Sequence, residues 1–237
     1  ITVGDLENDV SELQRYVLIF KQTASKSVLS RFDSVYEKVK GNLARLEDSI
    51  TEEQNLDDYQ DLIIRMSSHL EDYRSNFESV VEGRTKQESL FNQSIKQDLS
   101  KLQQDINDFE EQNTLSLSQQ AALTSARFHS SEAYAAAVNY LLTSDPSMVE
   151  EFKSQVSAIE NYLNTFTQYQ GFMVAVENDL NSLSSDFVQL TQVTRGYLFL
   201  VNVVMAGSAN EFLYLSRELS LLVTKRQQTV DDLILTN

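Results

Sequence analysis

The chain has no cysteine, no tryptophan and a single proline, and only six of its 237 residues are glycine. Without cysteine, neither a disulfide nor a thiolate metal site can form. With so little proline and glycine, the many tight turns of a β-meander or sandwich cannot be built, which points to an all-α chain. Positive charge is scarce as well: 19 lysines and arginines stand against 35 aspartates and glutamates, a formal net charge of −16. That balance excludes nucleic acid and an anionic membrane surface as partners, since both demand a basic face. No run of about eighteen apolar residues occurs, so the sequence holds no evident bilayer span. The longest candidate, residues 197–206, is too short and carries Asn202.

What the chain does have is helical periodicity. Apolar residues recur at Leu56, Tyr59, Ile63, Met66, Leu70, Tyr73, Phe77 and Val80, then at Phe91, Ile95, Leu99, Leu102, Ile106 and Phe109. A second run goes Leu180, Leu183, Phe187, Leu190, Thr194, Tyr197, Val201, then Ser208, Phe212, Leu215, Leu219 and Leu222. Alternating steps of three and four keep one stripe of a helix against a partner. Each run covers about sixty residues, or roughly 90 Å at ~1.5 Å per residue, about twice what one compact bundle needs.

Six helices are predicted, over residues 3–22, 26–50, 56–112, 117–143, 146–167 and 171–235. Ser25 is placed to cap the second, Ser116 or Ser118 the fourth, and Asp145 with Pro146 the fifth. Residues 51–55, 113–116 and 168–171 read as turns. Residues 3–112 and 117–235 echo one another, each a short helix, a turn, a second helix and a long helix. The predicted fold is therefore two stacked four-helix bundles sharing two long helices. A membrane-proximal bundle comprises 1–82 plus 200–237, and a membrane-distal bundle comprises 83–199. Gly83 and Gly196 fall near the expected junction, where glycine inside a helix suggests a bend or a close backbone contact. The stripe is already running at Val3 and still running at Leu233, as in a segment cut from a longer protein.

This helix order resembles the helical bimodular (HBM) sensor domain of bacterial chemoreceptors and histidine kinases. So do two regions, Asp9-Val10-Ser11-Glu12-Leu13-Gln14-Arg15 and Ala137-Val138-Asn139-Tyr140-Leu141-Leu142. The resemblance covers essentially the whole chain. It implies a periplasmic segment of an inner-membrane receptor, homodimeric in the full receptor, that reaches the membrane only through flanking helices. Family members that bind small carboxylates use arginines in the first helix, where Arg15 matches by position. The family's fourth-helix arginine falls near Tyr134 here, and no arginine stands there. Related two-bundle sensors read a periplasmic binding protein instead of a small molecule.

Nothing in the sequence supports catalysis or implies a cofactor. There is no glycine-rich phosphate loop and no nucleophile elbow, and no pair of carboxylates is marked as sharing a dry cleft. His69 and His129 lie far apart and lack partners at i+4, so no zinc site is expected. Ligand-binding candidates fall in three places. Arg84 and Gln87 continue the inward stripe, and an inward guanidinium needs an anionic or carbonyl partner. With Arg195 it could clamp a carboxylate by bidentate hydrogen bonds, or it could pair with a nearby glutamate at a wet junction. In the fourth helix, Ala122, Ala126, Ala133 and Ala137 interleave with Ser125, Ser130 and Ser131 beside Arg127, His129 and Tyr134. Small side chains there either leave room for a polar ligand or allow close packing. Arg15 falls between Leu13 and Val17 on the outer face. Residues 197–205 are apolar all round, which calls for cover on every side, by a second subunit or by the core. The competing function class is a structural helical stalk or adhesion rod.

Overall fold

The computed structural model describes residues 3–49 and 56–236, and every secondary-structure element among them is helical. The elements are α1 (Val3–Thr23), α2 (Ser27–Ser49), α3 (Leu56–Ser89), α4 (Lys96–Gln112), α5 (Leu117–Thr143), α6 (Pro146–Leu163), α7 (Gln170–Phe199) and α8 (Ala206–Thr236). A π-helical turn, Leu90–Ile95, joins α3 to α4, and a second, Leu200–Met205, joins α7 to α8. The chain is thus all-α, with six continuous helical rods among the described residues. The expected turn at 51–55, the end of the second helix at Ile50 and the side chain of Leu56 lie outside the described residues.

Local chemistry accounts for the ends of the rods. Ser116 and Gln119 form a reciprocal capping box at the start of α5, each side chain bonding the other's backbone N–H. Asp145 accepts from the Ser147 N–H at 2.9 Å, and Pro146 occupies the first position of α6. Ala24 (φ 54°) and Ser144 (φ 55°) end α1 and α5 in the left-handed conformation, unusual for residues with a β-carbon. Ser116→Ala is expected to lower stability by about 1 kcal/mol, the usual worth of a serine N-cap, measured by urea denaturation.

The chain divides into two compact units. Unit 1 is Ile1–Arg84 with Gly196–Asn237, and unit 2 is Thr85–Arg195. In unit 1, Leu6, Val10, Leu13, Val17 and Phe20 of α1 pack with Phe32, Tyr36 and Val39 of α2, Ile63 to Val80 of α3, and Phe212 to Leu219 of α8. Phe32 and Phe77 approach to 4.3 Å between ring centroids, with Phe20 edge-on to Phe77. In unit 2, Phe152 and Phe187 stack at 3.8 Å. Ala122, Ala126, Ala133, Ala136 and Ala137 of α5 are all buried in the same core. The alanines of α5 therefore serve close packing.

Glycine is not where the long helices become irregular. Both run through Gly83 and Gly196 as regular α-helix, and a β-carbon added at Gly196 would meet nothing within 4 Å. The irregularities are the two π turns, and the burial pattern explains them. Gln87, Phe91, Ile95 and Leu99 are buried in three successive steps of four, as are Tyr197, Val201, Met205 and Ala209. In an α-helix each step of four overshoots a full turn by ~40°. A π turn holds one more residue than an α turn and brings the stripe back onto the core. The second stripe accordingly passes through Met205 and Ala209, and Ser208 is only half-buried.

Residues 197–205 are sorted by this geometry. Tyr197, Val201 and Met205 are buried in unit 1, while Phe199 and Val203 are exposed. The rod Gln170–Thr236 is long and apolar enough to cross a membrane by length and composition, with a window of mean hydropathy 1.4 that is 28% buried. Its apolar residues are interrupted by polar ones, so it holds no unbroken apolar run. The same rod supplies Phe172, Val176, Leu180 and Phe187 to one core and Tyr197 to Leu219 to the other.

Candidate functional site

On α4, Lys96, Ser100 and Gln103 are spaced by four and three residues and share a face. Opposite them on α5 stand Ser130, Ser131 and Tyr134. With Leu99 they line a pocket of about 300 Å³ within unit 2. Tyr134 stacks on Phe91 at 5.9 Å and 28°, and the Lys96 ammonium lies 5.3 Å from the centre of the same ring. A cation over an aromatic face is held electrostatically while keeping its charge for another partner. None of the ion pairs among the described residues involves Lys96.

Ser130 is the unusual member. Its side chain is 1% exposed, and its hydroxyl oxygen meets no hydrogen-bonding partner in the protein. A buried hydroxyl left unpaired costs about 1–3 kcal/mol, so such groups are rare in packed interiors. Here it lines the pocket, within the same cluster as Ser131 and Lys96. The lining offers one cation, several hydroxyls, one amide and no carboxylate. It suits a small polar ligand with a single anionic group.

A second pocket of unit 2, about 200 Å³, has the opposite character, with Glu160, Asn161 and Asn164 facing Glu177 and Asn181. In unit 1, His69 lines a cleft of about 10 Å³, roughly the least that holds one water. No group of three or more His, Asp or Glu positioned for a metal occurs among the described residues.

The sequence candidates are scattered. Tyr134 lines the α4–α5 pocket with Ser130 and Ser131, but Arg127 and His129 of α5 are engaged elsewhere. Arg127 donates to Asn107 Oδ1 through Nε (3.2 Å) and Nη2 (2.9 Å) and pairs with Glu110 at 3.0 Å, tying α5 to α4. His129 Nδ1 lies 2.6 Å from Gln155 Oε1, and its ring stacks on Tyr162, tying α5 to α6. Arg84 is half-buried and donates from Nε to the Lys21 carbonyl at 3.4 Å, in unit 1. A carbonyl is one of the two partners an inward guanidinium calls for. Gln87 is fully buried, as its place on the stripe predicts, and donates to Thr194 Oγ1 at 2.8 Å within unit 2. Arg195 is exposed. Arg15 stays 65% exposed beside Glu12 and against the Tyr16 ring, on the outer face of α1.

Lys96, Ser100 and Gln103 were not among the sequence candidates. Their signal is faint: three polar residues on one side of α4 are indistinguishable from a solvated face until α5 is placed opposite. The chain matches no protein-family model and no curated protein sequence.

Proposed function

We propose that this chain is the extracytoplasmic ligand-sensing domain of a transmembrane signalling receptor, a chemoreceptor or sensor histidine kinase of the periplasm. In this reading unit 2 takes a small carboxylate between α4 and α5. The observation that carries it is the unpartnered, buried Ser130 hydroxyl in a pocket whose cation, Lys96, has no acid to neutralise it. The carboxylate would sit against Lys96, and a hydroxyl or carbonyl of the ligand would satisfy Ser130. Bridging α4 and α5 favours one setting of the two helices over others. The shift is then limited by the ligand's difference in affinity for those settings. α4 continues without a break through its π turn into α3, the element that would carry the displacement onward to unit 1.

A thermal-shift screen against organic acids, amino acids, amines and amine oxides tests this. Ligand at 100 times its dissociation constant adds ~2.7 kcal/mol of stability. A carboxylate hit is expected, lost in Lys96→Met and weakened in Ser130→Ala, with helicity unchanged in both. A hit that survives both substitutions places the site elsewhere. No hit across the panel shifts the reading to recognition of a periplasmic binding protein. Exposed Leu117, Phe128 and Leu142 on α5 would be the first surface to substitute in that case.

A further inference from the structure

Neither pocket uses the acids that line the seam between α4 and α7. Asp98 and Asp105 stand seven residues apart on α4, and Asp179 and Asp186 seven apart on α7. The helices face each other so that the two spacings match. Asp98 lies beside Asp186, and Asp105 lies beside Asp179, each pair close enough for one carboxyl to raise the other's pKa. Carboxylates this close repel unless a proton lies between them.

Burial sharpens the problem. The Asp179 side chain is 2% exposed, and its Oδ2 meets no donor of the protein. Oδ2 of Asp98 is buried and equally without a donor. An orphaned carboxylate oxygen beside a second carboxylate has a simple resolution: it carries a proton and donates it across the seam. Lys101 is the one cation in contact with the set among the described residues, 3.0 Å from Asp179 Oδ1 and 3.2 Å from Asp105 Oδ2. The cations of the neighbouring helices are engaged elsewhere, Arg127 of α5 with Glu110 and Lys153 of α6 with Glu150. Glu177 of α7 faces Glu160 across the other pocket. One lysine cannot neutralise four carboxylates.

We propose that this seam is a proton-binding site that takes up one proton per carboxyl pair, clasping α4 to α7 in acid and loosening them as the surroundings turn neutral. Each proton comes from solvent and is shared as O–H···O⁻ between facing carboxyls, with no other bond made or broken. The electrostatics agree in direction. Desolvation, followed by the neighbouring Asp186 and Asp179, raises Asp98 to about 7. Desolvation and Asp105 raise Asp179 to about 6, although Lys101 pulls the other way.

The sign of the stability change follows. Both groups hold their proton more tightly folded than unfolded, so their contribution is fully present below the unfolded carboxyl pKa, ~3.9. It is lost as pH rises through about 6 and then about 7. This is the reverse of ordinary acid denaturation, which removes the stabilisation of ionised carboxylates.

Two measurements on the full chain decide the matter. In a ¹³C titration of aspartate carboxyls, two resonances are expected with midpoints near 6 and 7, one lost in Asp179→Asn and the other in Asp98→Asn. Aspartates that all titrate in the ordinary range near ~4 would overturn the proposal. In thermal unfolding, Tm is expected to fall between about pH 5 and about pH 8. The double variant Asp98→Asn/Asp179→Asn, whose amides donate as the protonated acids do, should lose most of that fall and melt higher than the parent at the upper pH. An unchanged slope in the variant overturns the proposal equally. The titration stands on the parent protein even if the variant fails to fold.

Discussion

Deletion of Gln97 from α4 is expected to unfold unit 2, whereas deletion of Asn92 from the π turn just before it is expected to leave the unit folded. Both residues are exposed, so neither loss removes a core side chain. The difference lies in register. Each residue of an α-helix advances the face by ~100°, so removing Gln97 turns everything after it by that angle relative to Leu90, Phe91 and Ile95. Leu99, Leu102, Ile106 and Phe109, all buried in unit 2, would then point away from the core. At about 1.5–3 kcal/mol for each buried side chain, four such losses amount to roughly 6–12 kcal/mol. That is comparable with the whole stability of a typical domain, ~5–15 kcal/mol. Asn92 sits in the turn of its own helix that holds a surplus residue, so its removal regularises the helix and returns the same residues to the same face. Circular dichroism and urea denaturation distinguish the outcomes. Equal damage from both deletions would mean that the π turn serves something other than register.

The second large effect is expected at Phe187. Its ring stacks on Phe152 at 3.8 Å and meets the edge of Tyr140 at 5.8 Å, which joins α7 to α6 and α5. Phe187→Ala should destabilise unit 2 by about 3–5 kcal/mol, because the lost transfer energy is compounded by a cavity that stiff neighbouring helices cannot close. Phe187→Leu, which keeps most of the volume, should cost less than ~1.5 kcal/mol. Urea denaturation followed by the near-ultraviolet signal of the unit 2 tyrosines measures both. Similar losses for the two variants would mean that the ring contacts, and not the filled volume, hold the three helices together.

Much of the fold was legible because its signals are local. Pro146 with Asp145 acts on its own turn of chain, as does a serine at 116 or 118, and the structure chooses Ser116, with Gln119 completing its capping box. The inward stripes were legible as well, through Val80 on α3 and through Gln87, whose burial with Thr194 followed from spacing alone. The π turns were legible in principle, as successive steps of four, but a strict three-and-four pattern passed over them. It placed Ser208 where Ala209 is buried. The site was mostly illegible. Arg127 and His129 looked like ligand contacts until Asn107, Glu110 and Gln155 arrived from other helices to occupy them.

The sequence by itself determined that the chain is helical, where the rods end and which stripe of each is buried, because those depend on interactions within one turn or one helix. Tertiary structure alone decided which rods lie side by side and in what register. That placed Ser130 opposite Lys96 and Asp179 against Asp105, residues far apart in the chain. The reason is physical: a hydrophobic stripe specifies that a face be covered, while hydrogen bonds and proton sharing depend on distances of about 3 Å that only packing sets.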